Sequence, residues 1–357
     1  MASATVTSPS APSPLKPAEL PKYPTLITGT AGMIGSHLFQ TLRGRGEEVI
    51  GSYYRPTVAL EEIAADGELV ELDVRYFEPL RRLLQVRRPK RIFHLAAQSL
   101  PTLSWQRPWE TIDVNVTGTV NLFEAIKAVR ASEKSYDPVV VVACSSAQYG
   151  ASMTPENVPL TEDAPMLPLH PYGVSKVAQD LLAFQYWKSD EIRAIRGRIF
   201  NTTGPRKRDD VVSDVAGRVA RIRREGGNLR VGNLETRRAI LDVRDTVEAL
   251  VRLAAAGRPG EAYNICADTI YSISQFIRIF EKRANQTFEL AQDPTLFRPT
   301  DEPVIFGDSS KLQAHTGWKQ TVSIDETIQA VLDYEQTMYD MLVTLPRRSL
   351  FERKGDA

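Results

Sequence analysis

The sequence predicts an α/β fold in which helices cover both faces of a parallel sheet. Three observations support this prediction. A short β-branched strand, Thr25 to Thr28, leads directly into a glycine-rich turn and then a helix. Strand-like and helix-like segments then alternate as far as about residue 200. Among them, Val139 to Val142 is apolar throughout, as in a parallel strand buried on both faces.

Composition narrows the class of protein. Hydrophobic residues make up 42% and charged residues 25%, as in soluble globular proteins. The 44 basic and 44 acidic residues cancel, which argues against a general binder of nucleic acid. Cys144 and Cys266 are too few for a disulfide framework or a metal cluster and favour a reducing compartment. We therefore expect a cytoplasmic protein without a metal site. No apolar run is long enough to span a membrane.

The chain divides into four predicted segments. Residues 1–22, rich in Ser, Pro, Ala and Thr, are expected to be a disordered tail without a targeting signal. Residues 23–197 are expected to form a dinucleotide-binding domain, to which later segments near 237–265 return. Residues 198–345 would mainly form a smaller lobe, and 346–357 an exposed tail.

The glycine-rich turn carries the first functional prediction. Gly29, Gly32 and Gly35 are spaced so that the backbone can turn tightly and approach a pyrophosphate, with Met33 and Ile34 between the last two. The helix that follows would offer free N–H groups to the phosphates. A purely structural glycine turn is the alternative, but the preceding strand and the following helix are the context that a dinucleotide site requires.

The next strands suggest how the adenosine half would be held. An acidic residue at the end of the second strand would bind the ribose diol of NAD, and none is present there. Arg55 stands there instead and could bind a 2′-phosphate, which favours NADP over NAD. An exposed loop arginine is the alternative. Asp73, followed by Val74, ends the third strand and could accept a hydrogen bond from the adenine amine.

Small and polar residues follow the next two strands. The stretch that begins at Lys90 is expected to form a buried strand, in which His94 packs rather than catalyses. It runs into Leu95, Ala96, Ala97, Gln98 and Ser99, small enough for a flat cofactor to lie against. Asn115 begins a helix that runs to about Val129. The strand from Val139 ends at the carboxyl edge of the sheet, where ligands bind in open α/β folds, with Ser145, Ser146, Ala147 and Gln148.

Tyr172 and Lys176 are four residues apart, which places both side chains on one face of a helix. An ammonium close to a phenol favours the phenolate and lowers the pKa of the tyrosine. Such a tyrosine can act as a general acid or base on a hydroxyl or ketone. An ordinary surface pair is the alternative, so the prediction depends on a cofactor and a substrate elsewhere in the chain.

These motifs together resemble the extended short-chain dehydrogenase/reductases that act on nucleotide sugars, from about Pro24 to Tyr334. The order and spacing match in Gly29-x-x-Gly32-x-x-Gly35, Asp73, Leu95-Ala96-Ala97, Asn115, Ser145-Ser146 and Tyr172-x-x-x-Lys176. The chain is most similar to the branch containing GDP-mannose 4,6-dehydratase and GDP-4-keto-6-deoxymannose reductase. The segments that carry this finer similarity are Ala96–Ser99, Phe200–Arg206, Val231–Glu235, Asp242–Asp245 and Phe297–Pro299.

The resemblance implies a Rossmann-type sheet, a smaller C-terminal lobe, NADP or NAD as cofactor and a homodimer or homotetramer. Tyr172 would move the proton of a sugar hydroxyl, Lys176 would lower its pKa and hold the nicotinamide ribose, and Ser145 would hydrogen-bond the same sugar oxygen. Guanidinium groups would clamp the pyrophosphate of the nucleotide sugar. The residues expected on the substrate are Gln98, Ser99, Ser146, Ala147, Gln148, Asn201, Arg206, Arg238, Arg298 and Asp301.

Ala147 departs from the family pattern. In the 4,6-dehydratases this position is a glutamate that removes the proton from carbon 5, and alanine cannot do so. We therefore expect hydride transfer at carbon 4 of a nucleotide-diphosphate hexose without dehydration, by a 4-keto reductase or a 4-epimerase. A GDP-mannose 4,6-dehydratase with another base, such as Glu162 or Asp163, is one alternative. A non-catalytic dinucleotide sensor is another, against which the retained Ser145, Tyr172 and Lys176 argue.

Overall fold

The computed structural model describes residues 23–63, 67–296 and 302–344. Its centre is a parallel sheet of seven strands, in the order β3-β2-β1-β4-β5-β6-β11. The order reverses between β1 and β4, and such a reversal opens a crevice at the carboxyl ends of the strands. The strands are β1 (Thr25–Thr28), β2 (Val49–Tyr53), β3 (Glu68–Glu71), β4 (Arg91–His94), β5 (Val139–Ser145), β6 (Arg193–Ile199) and β11 (Ala262–Ile265).

Helices pack on both faces of this sheet. Alternate side chains of a strand point to opposite faces. Ile27, Phe93 and Val141 therefore share one core with helices α1 (Met33–Gly44) and α8 (Val243–Ala256). Their neighbours Leu26, Ile92 and Val140 share the other core with α2 (Phe77–Arg87), α5 (Gly118–Ser132) and α6 (Pro171–Asp190). Burial on both faces explains why the central strands are apolar without alternation.

Two short helices and a wide turn connect β4 to α5. Helices α3 (Pro101–Gln106) and α4 (Pro108–Ile112) both begin at proline, which lacks the N–H group that a first helical turn leaves unpaired. A π-helical turn, Asp113–Thr117, then leads into α5. The predicted helix from Asn115 therefore begins as this wide turn, a form that is frequent at functional sites.

The later chain builds a smaller lobe around its own apolar core. Helices α7 (Val211–Glu225), α9 (Ile273–Ala284) and α11 (Ile324–Thr344) supply most of that core, and α10 (Ser310–Thr316) lies against α8 and β11. Short strands join the pieces: β7 (Thr202–Thr203) pairs with β10 (Leu241–Asp242), and β8 (Leu229–Val231) with β13 (Leu290–Gln292). Strand β9 (Arg237–Arg238) lies between β12 (Tyr271–Ser272) and β14 (Val304–Ile305).

The predicted domain limits need one correction. Strand β6 crosses the expected boundary at residue 197 and ends at Ile199. The later segment does return to the sheet domain through α8 and β11, but Arg237 and Arg238 belong to the sheet of the lobe. A strand of two residues carries no pattern that reveals which sheet it will join. The predicted tails, 1–22 and 346–357, lie outside the described residues. Among the described residues, no helix is long and apolar enough to cross a membrane.

Candidate active site

A cavity of about 1130 Å³ opens at the carboxyl ends of the central strands, between the sheet domain and the lobe. A pocket for one drug-sized ligand has roughly 300–1,000 Å³, so this cavity is larger than such a pocket. Most predicted site residues line it: Gly29, Gly32, Met33, Ile34, Gly35, Arg55, Asp73, Val74, Leu95, Ala96, Ala97, Ser99, Ser145, Ser146, Ala147, Tyr172, Lys176, Asn201, Arg206 and Arg238.

The glycine-rich turn forms the floor of the cavity on the sheet side. Gly29 has a φ of +75°, and a Cβ there would lie 2.7 Å from the backbone nitrogen of Ala96. A Cβ on Gly35 would lie 2.2 Å from the carbonyl oxygen of Gly29. Side chains are therefore excluded at both positions, and the first turn of α1 lies directly against the loop. This geometry exposes free helix N–H groups where a pyrophosphate would bind.

Aromatic and charged side chains line the cavity where strands β2 and β3 end. The carboxylate of Asp73 accepts hydrogen bonds from Arg75 Nε at 3.0 Å and from Arg75 Nη2 at 2.6 Å. Burial opposes ionisation of Asp73, but the hydrogen bonds from Arg75 outweigh it and lower its pKa. The guanidinium carbons of Arg55 and Arg75 lie 5.3 and 5.7 Å from the ring centre of Tyr54. Arg55 also pairs with Glu110 at 2.6 Å.

The three predicted catalytic side chains meet at one wall of the cavity. Ser145 is the last residue of β5, and Tyr172 and Lys176 occupy the first two turns of α6. The hydroxyl of Ser145 lies near enough to the phenol of Tyr172 to act on its pKa. Lys176 is only 3% exposed. Its Nζ donates a hydrogen bond to the carbonyl oxygen of Ala143 at 2.7 Å and lies 5.7 Å from the ring centre of Tyr172.

The protonation of this group differs from the sequence-based expectation. Burial raises the pKa of Tyr172 to about 12, although the neighbouring Ser145 hydroxyl acts in the opposite direction. Burial also lowers the pKa of Lys176 to about 8. The expected lowering of the tyrosine pKa by Lys176 is therefore absent, because desolvation dominates both groups. Tyr172 holds its proton at neutral pH, which suits a general acid that donates to a developing alkoxide.

Asn115 and Gln98 hold the site together without lining the cavity. The Asn115 side chain donates to the carbonyl oxygen of Gln98 at 3.0 Å and to Ser175 Oγ at 2.8 Å, and it accepts from the Gln98 backbone N–H at 2.7 Å. It thus joins the loop after β4 to α6. The side-chain Nε2 of Gln98 donates hydrogen bonds to the carbonyl oxygen of Leu100 and to Thr111 Oγ1. Asn115 was predicted to contact the cofactor and Gln98 the substrate. Because neither residue lines the cavity, both predictions are corrected: the two side chains position neighbouring segments instead.

The prediction for Gln148 is also corrected, because this last residue of the turn after Ser145 is fully buried and does not line the cavity. Its Oε1 accepts a hydrogen bond from the backbone N–H of Ser145 at 3.5 Å, and its Nε2 donates to Asp180 Oδ2 at 3.2 Å. Asp180, itself buried, pairs with Arg196 at 2.7 Å and with Arg198 at 2.9 Å. A charged network therefore supports the turn that carries Ser145, and the periodicity of α6 alone could have suggested that Asp180 shares a face with Lys176.

Arginines reach the cavity from the lobe and from the loop before it. Arg206 lines the cavity, but its Nε donates to Glu62 Oε2 at 3.0 Å and its Nη1 to Gln40 Oε1 at 2.8 Å. It therefore tethers its loop to the sheet domain. Arg238 is 8% exposed, and its role as a phosphate ligand stays a prediction. Arg218 and Arg230 line the cavity as well and were not predicted, whereas Arg298 and Asp301 lie outside the described residues.

One further side chain escaped the sequence prediction although it adjoins the tyrosine motif. His170 lines the cavity two residues before Tyr172. His94, by contrast, packs as expected, since it hydrogen-bonds Thr28 at 2.9 Å and Thr119 at 3.1 Å inside the sheet domain. Within the described ranges, no three His, Cys, Asp or Glu side chains are grouped closely enough to hold a metal ion.

The family model described as GDP-mannose 4,6 dehydratase matches residues 26–331. The chain therefore belongs to that family, and it is an enzyme of the nucleotide-sugar short-chain dehydrogenase/reductases, as the motifs predicted. It is 28% identical to GDP-6-deoxy-D-mannose reductase of Pseudomonas aeruginosa over 87% of this chain and 96% of that protein. It is 27% identical to GDP-mannose 4,6 dehydratase 1 of Arabidopsis thaliana over 88% and 90%.

The fold prediction is confirmed by a solved structure. The structure of RMD from Pseudomonas aeruginosa complexed with NADPH superimposes with a TM-score of 0.76 and 26% identity. The alignment covers 89% of this chain and all of that one. The reductase and the dehydratase are almost equally similar to this chain, so overall identity does not choose between their reactions.

Proposed function

We propose that the protein is an NADPH-dependent reductase that acts on the 4-keto group of a nucleotide-diphosphate hexose, with GDP as the favoured nucleotide. The carrying observation is that Ser145, Tyr172 and Lys176 line the same cavity as Ala147, which stands where a base would be needed for dehydration. A 4-epimerase would use the same groups and stays the nearest alternative.

In the proposed reaction the residues divide the work between cofactor and sugar. When bound, NADPH supplies the hydride for carbon 4. Gly29, Gly32 and Gly35 would hold its pyrophosphate, and the Lys176 ammonium its nicotinamide ribose. Tyr172 would donate its phenolic proton to the oxygen that becomes an alkoxide, while Ser145 donates a second hydrogen bond to that oxygen.

The positions of the acidic residues argue against dehydration. Ala147 has no group that can remove the proton from carbon 5. Glu162 and Asp163 were considered as bases in place of Ala147. The Glu162 carboxylate already accepts a hydrogen bond from the backbone N–H of Asn264 at 2.7 Å. Neither Glu162 nor Asp163 is among the residues that line the cavity. A dehydratase would therefore need a base from another position.

The charges at the adenosine end support NADPH over NADH. The guanidinium groups of Arg55 and Arg75 both lie close to the ring of Tyr54, and Arg55 and Tyr54 line the cavity. A 2′-phosphate pairs well with guanidinium groups. The Pseudomonas relative was solved with NADPH, which agrees with this choice.

The lobe side of the cavity would hold the nucleotide sugar. Arg218, Arg230 and Arg238 line the cavity and contribute positive charge to it. A guanidinium group matches two phosphate oxygens at once, so these residues are the proposed ligands of the pyrophosphate. Arg206 would act indirectly, by holding the intervening loop through Glu62 and Gln40.

The oligomer and its location are also proposals. We expect a cytoplasmic homodimer or homotetramer formed through helices on the outside of the sheet. Trp109 of α4 and Leu181 of α6 are largely exposed apolar side chains on these neighbouring helices. Sedimentation equilibrium of the purified chain would test this expectation, and a monomer at all concentrations would contradict it.

The decisive experiment uses the purified enzyme with GDP-mannose and with its 4-keto-6-deoxy derivative plus NADPH. Oxidation of NADPH with the keto sugar alone supports the reductase. Loss of water from GDP-mannose without net NADPH change would replace it with a dehydratase. Interconversion of hexose epimers by a tightly bound cofactor identifies an epimerase. Dinucleotide binding without turnover of any GDP-, UDP-, CDP- or dTDP-sugar would favour the sensor.

A further inference from the structure

His170 is the residue that caps the catalytic helix. It immediately precedes α6, and its Nδ1 accepts a hydrogen bond from the backbone N–H of Gly173 at 3.0 Å. Its ring lies nearly parallel to that of Tyr172, with centroids 5.9 Å apart and an angle of 13° between the planes. Because both residues line the same cavity, a sugar positioned for Tyr172 would lie close to His170.

The cap determines which nitrogen of His170 carries a proton. A neutral imidazole has one N–H donor and one acceptor nitrogen. Since Nδ1 accepts from Gly173, Nε2 must carry the proton. Among the residues that the structure describes, no group hydrogen-bonds to Nε2. Burial lowers the pKa of His170, which keeps the ring neutral at physiological pH. The ring is thus a neutral donor with a free N–H.

The same turn of α6 lies against the catalytic turn after β5. A Cβ on Gly173 would lie 2.7 Å from the carbonyl oxygen of Ala147, so these two backbones are in close contact. His170, Tyr172 and Ala147 therefore belong to one wall of the cavity. Where Ala147 offers only a methyl group to the sugar, His170 offers an N–H beside the general acid.

We propose that His170 is a substrate-binding residue whose Nε2–H donates a hydrogen bond to a hexose oxygen next to the oxygen protonated by Tyr172. This inference rests on the proposed function and adds a determinant of how the sugar is oriented. His170 does not act as the missing base, because its Nε2 already holds a proton and its Nδ1 is occupied by the helix. It would select sugars that present an acceptor oxygen at this position.

Two kinds of substitution separate the cap from the sugar contact. Serine and asparagine are good helix caps, whereas alanine is not. His170→Ser and His170→Asn should therefore keep the melting temperature of the wild type while raising the KM for the 4-keto sugar about tenfold, the loss of one hydrogen bond. His170→Ala should show the same KM and also a lower melting temperature. The KM for NADPH should not change in any of the three.

Each result is informative. A wild-type KM in His170→Ser and His170→Asn, with only a lower melting temperature in His170→Ala, would reduce His170 to a helix cap and overturn the inference. If the wild type reduces no keto sugar, the proposed function fails, and the affinity for GDP-mannose in the presence of NADP is compared by calorimetry instead. Tenfold weaker binding by His170→Ser then still supports the contact. Equal affinities, or no binding of any GDP-, UDP-, CDP- or dTDP-hexose by the wild type, overturn it.

Discussion

The two sides of the cavity are built in different ways. On the sheet side, backbone forms the surface, and Gly29 and Gly35 leave no room for even a Cβ. On the lobe side, long side chains on short strands reach the cavity, such as Arg230 of β8 and Arg238 of β9. A backbone surface recognises what all dinucleotides share, whereas a side-chain surface can change with the substrate. This difference fits a family in which one cofactor site serves several reactions.

The two sides also differ in how their charges are supported. Asp180, beneath the turn that follows Ser145, is fully buried and is paired with two arginines. The side chain of Arg230 is 65% exposed although it pairs with Asp293. Removing one member of a buried pair costs much more than removing an exposed one, because the remaining charge stays desolvated. We therefore expect substitutions on the sheet side to affect folding and catalysis, and those on the lobe side to affect substrate affinity.

The largest expected effect is that of Tyr172→Phe at the junction of the two sides. Loss of the proton donor should lower kcat by about 10²–10⁴-fold, the usual contribution of general acid catalysis. The ring and its contact with His170 remain, so the affinity for NADPH should be unchanged. Steady-state kinetics and fluorescence titration with NADPH measure the two effects. Turnover equal to that of the wild type would remove Tyr172 from the mechanism.

Asp180→Asn tests the buried support on the sheet side. Arg196 and Arg198 would keep their charge without a counterion, so the free energy of unfolding should fall by about 3–5 kcal/mol. The arginines lower the pKa of Asp180 against the effect of burial. Its stabilisation is therefore present at neutral pH and is lost as the pH falls through that lowered pKa.

Urea unfolding of both proteins from neutral to acidic pH measures this effect. The stability difference between wild type and Asp180→Asn should be greatest at neutral pH and should shrink towards acidic pH. A constant difference across the range would show that ionisation of Asp180 is not its source.

Gly35→Ala tests whether the cofactor floor depends on backbone contact. The new methyl group would meet the carbonyl oxygen of Gly29, so the loop must move. We expect at least a tenfold loss of NADPH affinity and a destabilisation of about 1–3 kcal/mol, typical of overpacking. Gly44→Ala is the matched control on the same helix, because a Cβ there meets nothing within 4 Å. Equal behaviour of the two variants in calorimetry would contradict this account of the floor.

On the lobe side we expect an effect on substrate affinity without a loss of stability, and the adjacent arginines of β9 offer a matched pair to test it. Arg238 lines the cavity, whereas Arg237 is exposed and is not among the lining residues. Arg238→Ala should raise the KM for the nucleotide sugar by about 10–100-fold, the loss of one charge-assisted hydrogen bond, with little change in kcat. Arg237→Ala should leave both values near those of the wild type. A similar rise in both variants would indicate general electrostatics rather than contact.

The smallest effect concerns the pH dependence of cofactor binding. Burial lowers the pKa of Lys176 to about 8, so its ammonium is present below pH 8 and is lost above it. Because that ammonium would bind the nicotinamide ribose, the affinity for NADPH should fall by a few-fold as the pH rises past this value. Lys176→Met should bind more weakly and without this dependence. A parallel pH profile in both proteins would assign the titration to another group.

The sheet-side site was predictable because its residues are close together in the sequence. The spacing of Gly29, Gly32 and Gly35 and that of Tyr172 and Lys176 report local backbone geometry, and both motifs line the same cavity. Asn115, Gln98 and Gln148 were predicted as contacts because they lie in or next to the segments that carry the family resemblance. Their side chains satisfy neighbouring backbone and side-chain groups instead, which spacing cannot show, since hydrogen-bond partners depend on elements distant in the chain.

The sequence by itself determined the parallel sheet, the glycine-rich turn and the helix that carries Tyr172 and Lys176, because each depends on local periodicity or on residues a few positions apart. Only the tertiary structure decided that Arg206 tethers a loop to Glu62, that β9 belongs to the lobe, and that burial keeps Tyr172 protonated. It also decided that the imidazole of His170 faces the cavity beside Tyr172. These properties arise from contacts between distant segments and from desolvation, which exist only after the chain has folded.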